Sequence, residues 1–210
     1  MGVWKKDLRT TTMQISEPVR GTGRRAIFIG GLASLLGVLP RKSWAAGDSP
    51  GAQPGFWTQP RAINVRNAST GERGEFVYWR DGAFVMPEYF ALCTLTRDAR
   101  ENKAVQMDPR AFDLVYGTQA WFHGAERKRT ETIITNGLRT PRTNVIVHGA
   151  PGSKHLSGES LDGHMVGVTL GVYASMCLAF GAGGVGLYAR HVHWDVGRKP
   201  AFWRGGGKES

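Results

Sequence analysis

Two histidines and an aspartate, His155, Asp162 and His193, are the residues of this chain best suited to hold a catalytic metal ion. The first two lie in Ser153-Lys154-His155-Leu156-Ser157-Gly158-Glu159-Ser160-Leu161-Asp162, the third in His191-Val192-His193-Trp194-Asp195. Two imidazole nitrogens and a carboxylate oxygen fill three corners of a tetrahedral zinc site and leave the fourth for water. That ligand count belongs to hydrolytic rather than structural zinc. Gly158 lets the backbone fold so that His155 and Asp162 reach one ion. On a strand, His191 and His193 point to the same face, because side chains alternate with period two. The two cysteines, Cys93 and Cys177, have no CxxC spacing, so zinc falls to histidine and carboxylate. Cys93 and Cys177 leave open both a disulfide and a pair of buried thiols.

The elements that must position these residues are legible in part. Gly47 to Pro60 is a linker by its Gly and Pro content. Arg61 to Phe84 reads as a hairpin: Ala62 to Arg66 alternates, Asn67 to Arg73 supplies turn residues, and Glu75 to Trp79 resumes a strand. Pro87 to Arg100 carries a helical apolar pattern, and Asp108-Pro109 opens a second helix with an N-cap and a first-position proline. Thr132 to Thr135 is a short strand, Val145 to Val147 a brief apolar segment, and Val166 to Phe180 an apolar helix. After the Gly181 to Gly186 turn, Val185 to Tyr188 and Arg190 to Val196 form the arms of a last hairpin. That turn lacks the Lys and Ser/Thr of a phosphate-binding loop.

The front of the chain reads as an address. Arg24-Arg25 precede the apolar run Ala26 to Leu39, which Pro40-Arg41-Lys42 and the small-residue region Ser43-Trp44-Ala45-Ala46 follow. Paired arginines and cations after the run fit a twin-arginine export signal over residues 1–46, and hence a periplasmic enzyme. The run is too short to span a bilayer, so no stable membrane span is expected in the mature form. Eight Lys and Arg against two acids in residues 1–47 carry +6 of the net +10 and leave only +4 for the rest. No basic and aromatic stripe of the kind that binds nucleic acid is present. An apolar content of 41% in 210 residues suits one globular domain, here residues 61–205, expected to be a monomer.

Ser153-x-His155-x-x-Gly158-x-Ser160-x-Asp162, then His193-x-Asp195 after a Gly-rich turn, resembles metallopeptidase family fifteen. That family holds the zinc D-Ala-D-Ala carboxypeptidases and murein endopeptidases and is grouped with the hedgehog signalling domain. Thr70 to Arg73, Tyr78 to Gly82, Asp108 to Arg110, Gly137 to Pro141, Gly184 to Tyr188, Asp195 to Arg198 and Trp203 extend the likeness in order. They are most similar to the exported murein endopeptidase K-like subfamily, over about residues 61–204. The resemblance implies an α+β fold: a small antiparallel sheet carries the zinc cleft, helices pack behind it, and the N-terminal hairpin is an accessory layer.

It also implies a Zn2+-dependent peptidase that hydrolyses amide bonds in the peptide stems or crosslinks of peptidoglycan. His155, Asp162 and His193 would bind the metal. Arg139 would neutralise an oxyanion or a substrate carboxylate, and Ser153 would bind substrate or brace its loop. Asp195 would orient His193 or handle protons. Arg190 stands where many relatives carry an acidic general base, which leaves His191 as the candidate for proton transfer or transition-state stabilisation. Ser160 replaces an alanine, Leu138 an aromatic, and Gly163-His164 a more apolar stretch. His164 is read as structural with room to approach the metal, and His123 and His148 as surface residues. Two alternatives remain: an inactive, zinc-stabilised wall-binding module, and a zinc carboxypeptidase acting on small D-amino-acid peptides.

Overall fold

The computed structural model describes residue 51, residues 53–197 and residues 199–205. The segment read as an export signal, linker residues 47–50 and 52, and Arg198 lie outside the described residues. Arg61–Asn67 (β1) and Arg73–Arg80 (β2) form the expected hairpin, and Ala83–Phe84 (β3) adds a short edge. Asn67 makes the turn, its Oδ1 accepting from the amides of Ser69 at 2.8 Å and Thr70 at 3.1 Å. Two helices follow, Met86–Leu95 (α1) and Pro109–Glu126 (α2). Asp108 caps α2 as its sequence implies, accepting from the Arg110 amide at 2.9 Å, with Pro109 in the first turn.

Thr132–Asn136 (β4) leads to Pro141–Ile146 (α3), then Ser160–Met165 (β5), Leu170–Ala179 (α4), and the strands Gly184–Leu187 (β6), Val192–Asp195 (β7) and Ala201–Arg204 (β8). One sheet takes all eight strands in the order β3-β2-β1-β4-β5-β7-β6-β8. The α+β class holds. The N-terminal hairpin is continuous with the sheet instead of forming a separate layer, because β1 pairs parallel with β4. A second parallel pair, β6 with β8, closes the other edge, and the remaining pairs are antiparallel.

Alternation on β5 and β7 separates core from site. Leu161 stands opposite Trp194, and Asp162 opposite His193. Leu161 and Trp194 are fully buried. Trp194 meets the Tyr173 ring of α4 edge-on at 5.4 Å and donates its indole N–H to the Ala111 carbonyl of α2 at 3.3 Å. The partners one step along the strands therefore face away from those helices, and there Asp162 and His193 stand.

Three elements differ from expectation for physical reasons. The α4 helix begins at Leu170, not Val166: Gly167 turns with φ +79 and Thr169 caps the helix on the Val172 amide. The α3 helix carries the same signal as α2, since Thr140 caps it and Pro141 follows, but it is only six residues long. Phe56 and Trp57, inside the segment read as linker, pack on Tyr116 and Phe180 at 5.3 to 6.4 Å between rings. Cys93 and Cys177 are buried free thiols, and burial raises the pKa of both. Among the described residues no helix is long and apolar enough to cross a membrane.

Candidate metal centre

His155 sits on a 3-10 turn, Lys154–Ser157, whose first amides need a cap. Ser153 supplies it, its hydroxyl accepting from the His155 amide. Gly158 ends the turn at φ +70, a left-handed conformation that a glycine adopts without strain, and sends the chain into β5. Asp162 then comes from the middle of β5, and His193 from β7 directly opposite. The ligand atoms of these three buried residues converge. His155 Nε2 lies 3.1 Å from Asp162 Oδ1 and 3.2 Å from His193 Nδ1, and His193 Nδ1 lies 2.8 Å from Asp162 Oδ1. Ligands on a tetrahedral zinc ion are separated by about 3.3 Å, from bond lengths near 2.0–2.1 Å.

The outward nitrogens fix which atoms face inward. His155 Nδ1 lies 2.6 Å from the Gly137 carbonyl, which can only accept, so Nδ1 carries the hydrogen and a neutral ring has Nε2 bare. His193 has a carboxylate at each nitrogen, Asp162 at 2.8 Å from Nδ1 and Asp195 at 3.4 Å from Nε2, so with a metal ion on Nδ1 the hydrogen sits on Nε2 facing Asp195. Two imidazole nitrogens and an anionic oxygen thus meet about 3 Å apart in a buried site, an arrangement that a shared cation, a proton or a metal ion, stabilises. The residues fit a divalent metal.

The electrostatics agree. Burial by itself would raise the Asp162 carboxyl, yet the charge and hydrogen bond of His155, then those of His193, hold it well below the usual carboxylate range. Burial would lower His193, yet the Asp162 and Asp195 carboxylates raise it above the usual imidazole value. The cluster attracts positive charge, as a proton or as a metal ion. Arg139 braces the far side of Asp162, its Nη2 donating to Oδ2 at 2.8 Å. Asp195, with no exposed surface, also accepts from the Gly184 amide at 3.0 Å.

The family model described as peptidoglycan L,D-endopeptidase MepK, of the M15 peptidases, matches residues 56–202. The chain belongs to this M15 family. Among its relatives, the peptidoglycan L,D-endopeptidase MepK of Escherichia coli (strain K12) is 29% identical over 181 residues, covering 83% of this chain and 93% of that protein. The protein of the same name from Shigella flexneri matches equally. A probable peptidoglycan L,D-endopeptidase MepK of Haemophilus influenzae is 29% identical over 191 residues, 87% of this chain and 95% of that protein.

The remaining expected residues of this M15 member divide by position. Arg139 and Asp195 touch the ligand cluster directly. Ser153 touches it only through the turn that it caps. His191 lies just before β7 and outside the three converging ligands, its ring stacked on Tyr188 at 4.6 Å and 16°. Trp203 of β8 donates to the Tyr188 hydroxyl at 3.1 Å and lies 5.5 Å from the His193 ring, so an aromatic wall connects His191 to the centre. Arg190 is exposed, as are His123 and His148. His164 is half-buried on β5, two residues beyond Asp162, and is not among the converging ligands. Sequence reasoning missed the Gly137 carbonyl, because a backbone acceptor leaves no signature in residue type. The wall was visible only as scattered aromatics, Tyr188 and Trp203.

Proposed function

We propose that this M15 peptidase is a zinc-dependent endopeptidase that hydrolyses L,D amide bonds in the peptide crosslinks of peptidoglycan. The observation that carries the reading is the convergence of one imidazole nitrogen from each histidine and a carboxylate oxygen at 2.8 to 3.2 Å. His155, Asp162 and His193 would hold the zinc ion. When bound, zinc supplies Lewis acidity: it polarises a carbonyl and brings the pKa of water to about 7.

The protein's own groups do the rest. The Gly137 carbonyl and Asp195 keep the two ligand rings in the tautomers that present a lone pair. Asp195 is sealed from solvent, which favours orientation of His193 over exchange of protons with substrate. Arg139 orients Asp162 and keeps a fixed positive charge at the edge of the candidate metal centre. Ser153 braces the His155 turn. His191, held flat on Tyr188 and partly exposed, takes or gives the proton that Arg190 cannot. The L,D preference is carried over from the activity named for the Escherichia coli and Haemophilus influenzae relatives. Export through the twin-arginine route to the periplasm would bring the domain to its polymer substrate.

One observation favours a second reading. Arg190, at the position of an acidic general base in many relatives, is exposed, which suits a wall-binding module that keeps metal only for stability. Digestion of purified sacculi with zinc and with chelator, followed by chromatography of the released muropeptides, separates the two. New products with zinc alone support the peptidase, and their structure reports whether an L,D or a D,D bond was cut. A folded, zinc-loaded protein that releases nothing is the binding module.

A further inference from the structure

The braces on His155 and Asp162 come from one short segment. The Gly137 carbonyl takes the hydrogen of His155 Nδ1 at 2.6 Å, and the Arg139 guanidinium grips Asp162 Oδ2 at 2.8 Å. The backbone of Arg139 also donates to the His155 carbonyl at 3.1 Å. Residues 137–140 are therefore a bracket lying between the metal centre and whatever stands behind it. What stands behind is the loop after α1. Leu138 donates its amide to the Thr96 carbonyl at 2.8 Å. Gly137 is pressed so close that a Cβ there would lie 2.1 Å from the Thr96 oxygen. Thr140 donates its amide to Asp98 Oδ2 at 2.8 Å.

Asp98 is the charged member of this contact and is only 2% exposed. Its other oxygen accepts from the amides of Arg100 at 3.0 Å and Glu101 at 3.3 Å, and its own backbone pairs with Lys103. One oxygen thus shapes the loop and the other holds the bracket. Burying a carboxylate is costly unless donors are fixed around it, so the three amides and the anion hold one another in place. The burial that would raise the Asp98 carboxyl is outweighed first by the Thr140 amide, so that bond is made to the charged form.

We infer that Asp98 is a positioning residue for the metal centre: through Thr140 it fixes the bracket that sets the His155 tautomer and the Asp162 orientation. Asp98 touches neither metal nor substrate. Its effect on chemistry passes through Gly137 and Arg139. The inference rests on the metal-centre reading above, and deepens it by naming what holds the ligands' supports.

The discriminating variant is Asp98→Asn. The amide keeps one oxygen for Arg100 and Glu101 and places an N–H2 group against the Thr140 N–H, so the loop survives while the bracket is released. Asp113→Asn is the control, a hydrogen-bonded carboxylate that meets Arg61 and Tyr78 away from the bracket. Zinc dissociation constants are measured by competition with a chromophoric chelator. Asp98→Asn is expected to weaken zinc roughly tenfold, the lower end for outer partners of metal ligands, and Asp113→Asn to leave it within about twofold. An Asp98→Asn protein that melts earlier but binds zinc as tightly as the parent overturns the inference and leaves the peptidase reading intact. A parent that binds zinc but cuts no sacculi defeats the peptidase reading and leaves this one standing. Should the variant not fold, amide exchange in the parent decides: zinc loading is expected to slow the Leu138 and Thr140 amides, and unchanged rates overturn the proposal.

Discussion

Replacing Asp195 by asparagine subjects the tautomer argument to its hardest test. The carboxylate offers one oxygen to the Gly184 amide at 3.0 Å and the other towards His193 Nε2 at 3.4 Å. Asparagine has one acceptor for these two donors. If its oxygen stays on Gly184, its N–H2 group faces His193 and favours the tautomer with Nε2 bare and Nδ1 protonated, which blocks the metal-facing lone pair. If the amide turns over, two N–H groups collide at a fully buried site instead. Either way one unmet buried donor costs about 1–3 kcal/mol when zinc is to be bound. At about 1.4 kcal/mol per decade that is roughly 5- to 150-fold in affinity, which agrees with about 10- to 100-fold for outer partners of metal ligands. The assay is zinc competition at neutral pH on protein whose fold is verified by circular dichroism. A folded Asp195→Asn protein that holds zinc within twofold of the parent would refute the assignment of the lone pairs.

Gly137→Ala should be poorly tolerated, because its methyl would meet the Thr96 carbonyl, a backbone atom that cannot swing aside. A loss of about 3 kcal/mol, the upper end of overpacking costs, should lower the melting temperature by roughly 6–12 °C. A change under 2 °C would contradict the packing. His191→Ala should keep stoichiometric zinc and lose about 10²- to 10⁴-fold in muropeptide release, and loss of zinc itself would move His191 into the ligand set. Metal-free protein should show both coupled titrations. His193, raised in the folded state, contributes stability below the unfolded value near 6.5 that is lost as pH rises through its folded value. Asp162, depressed, contributes stability above about 3.9 that is lost as pH falls through its folded value. Zinc must displace the His193 proton, so its affinity should climb by about one decade per pH unit below that raised value and flatten above it. Affinity independent of pH from 5 to 8 would count against His193 as a ligand.

Local chemistry carried much of this protein into its sequence. The Asp108-Pro109 helix start and the Asn67 hairpin turn are contests between neighbours in the chain, decided by side-chain oxygens and a fixed proline φ, whereas β7 begins at Val192 and leaves His191 outside the strand. The converging trio was legible because few residue types bind metal ions. Tertiary structure decided the rest. Ser160–Met165 becomes a strand only because β4 and β7 flank it, and no local pattern in Ser-Leu-Asp-Gly-His-Met demands that. Which nitrogen of each imidazole is bare depends on a backbone carbonyl 18 residues away from His155 and a carboxylate fixed by the turn into β6. Hydrogen bonds to backbone atoms are made by position, not by residue type, so a sequence names the candidate ligands and the fold decides how their rings are held.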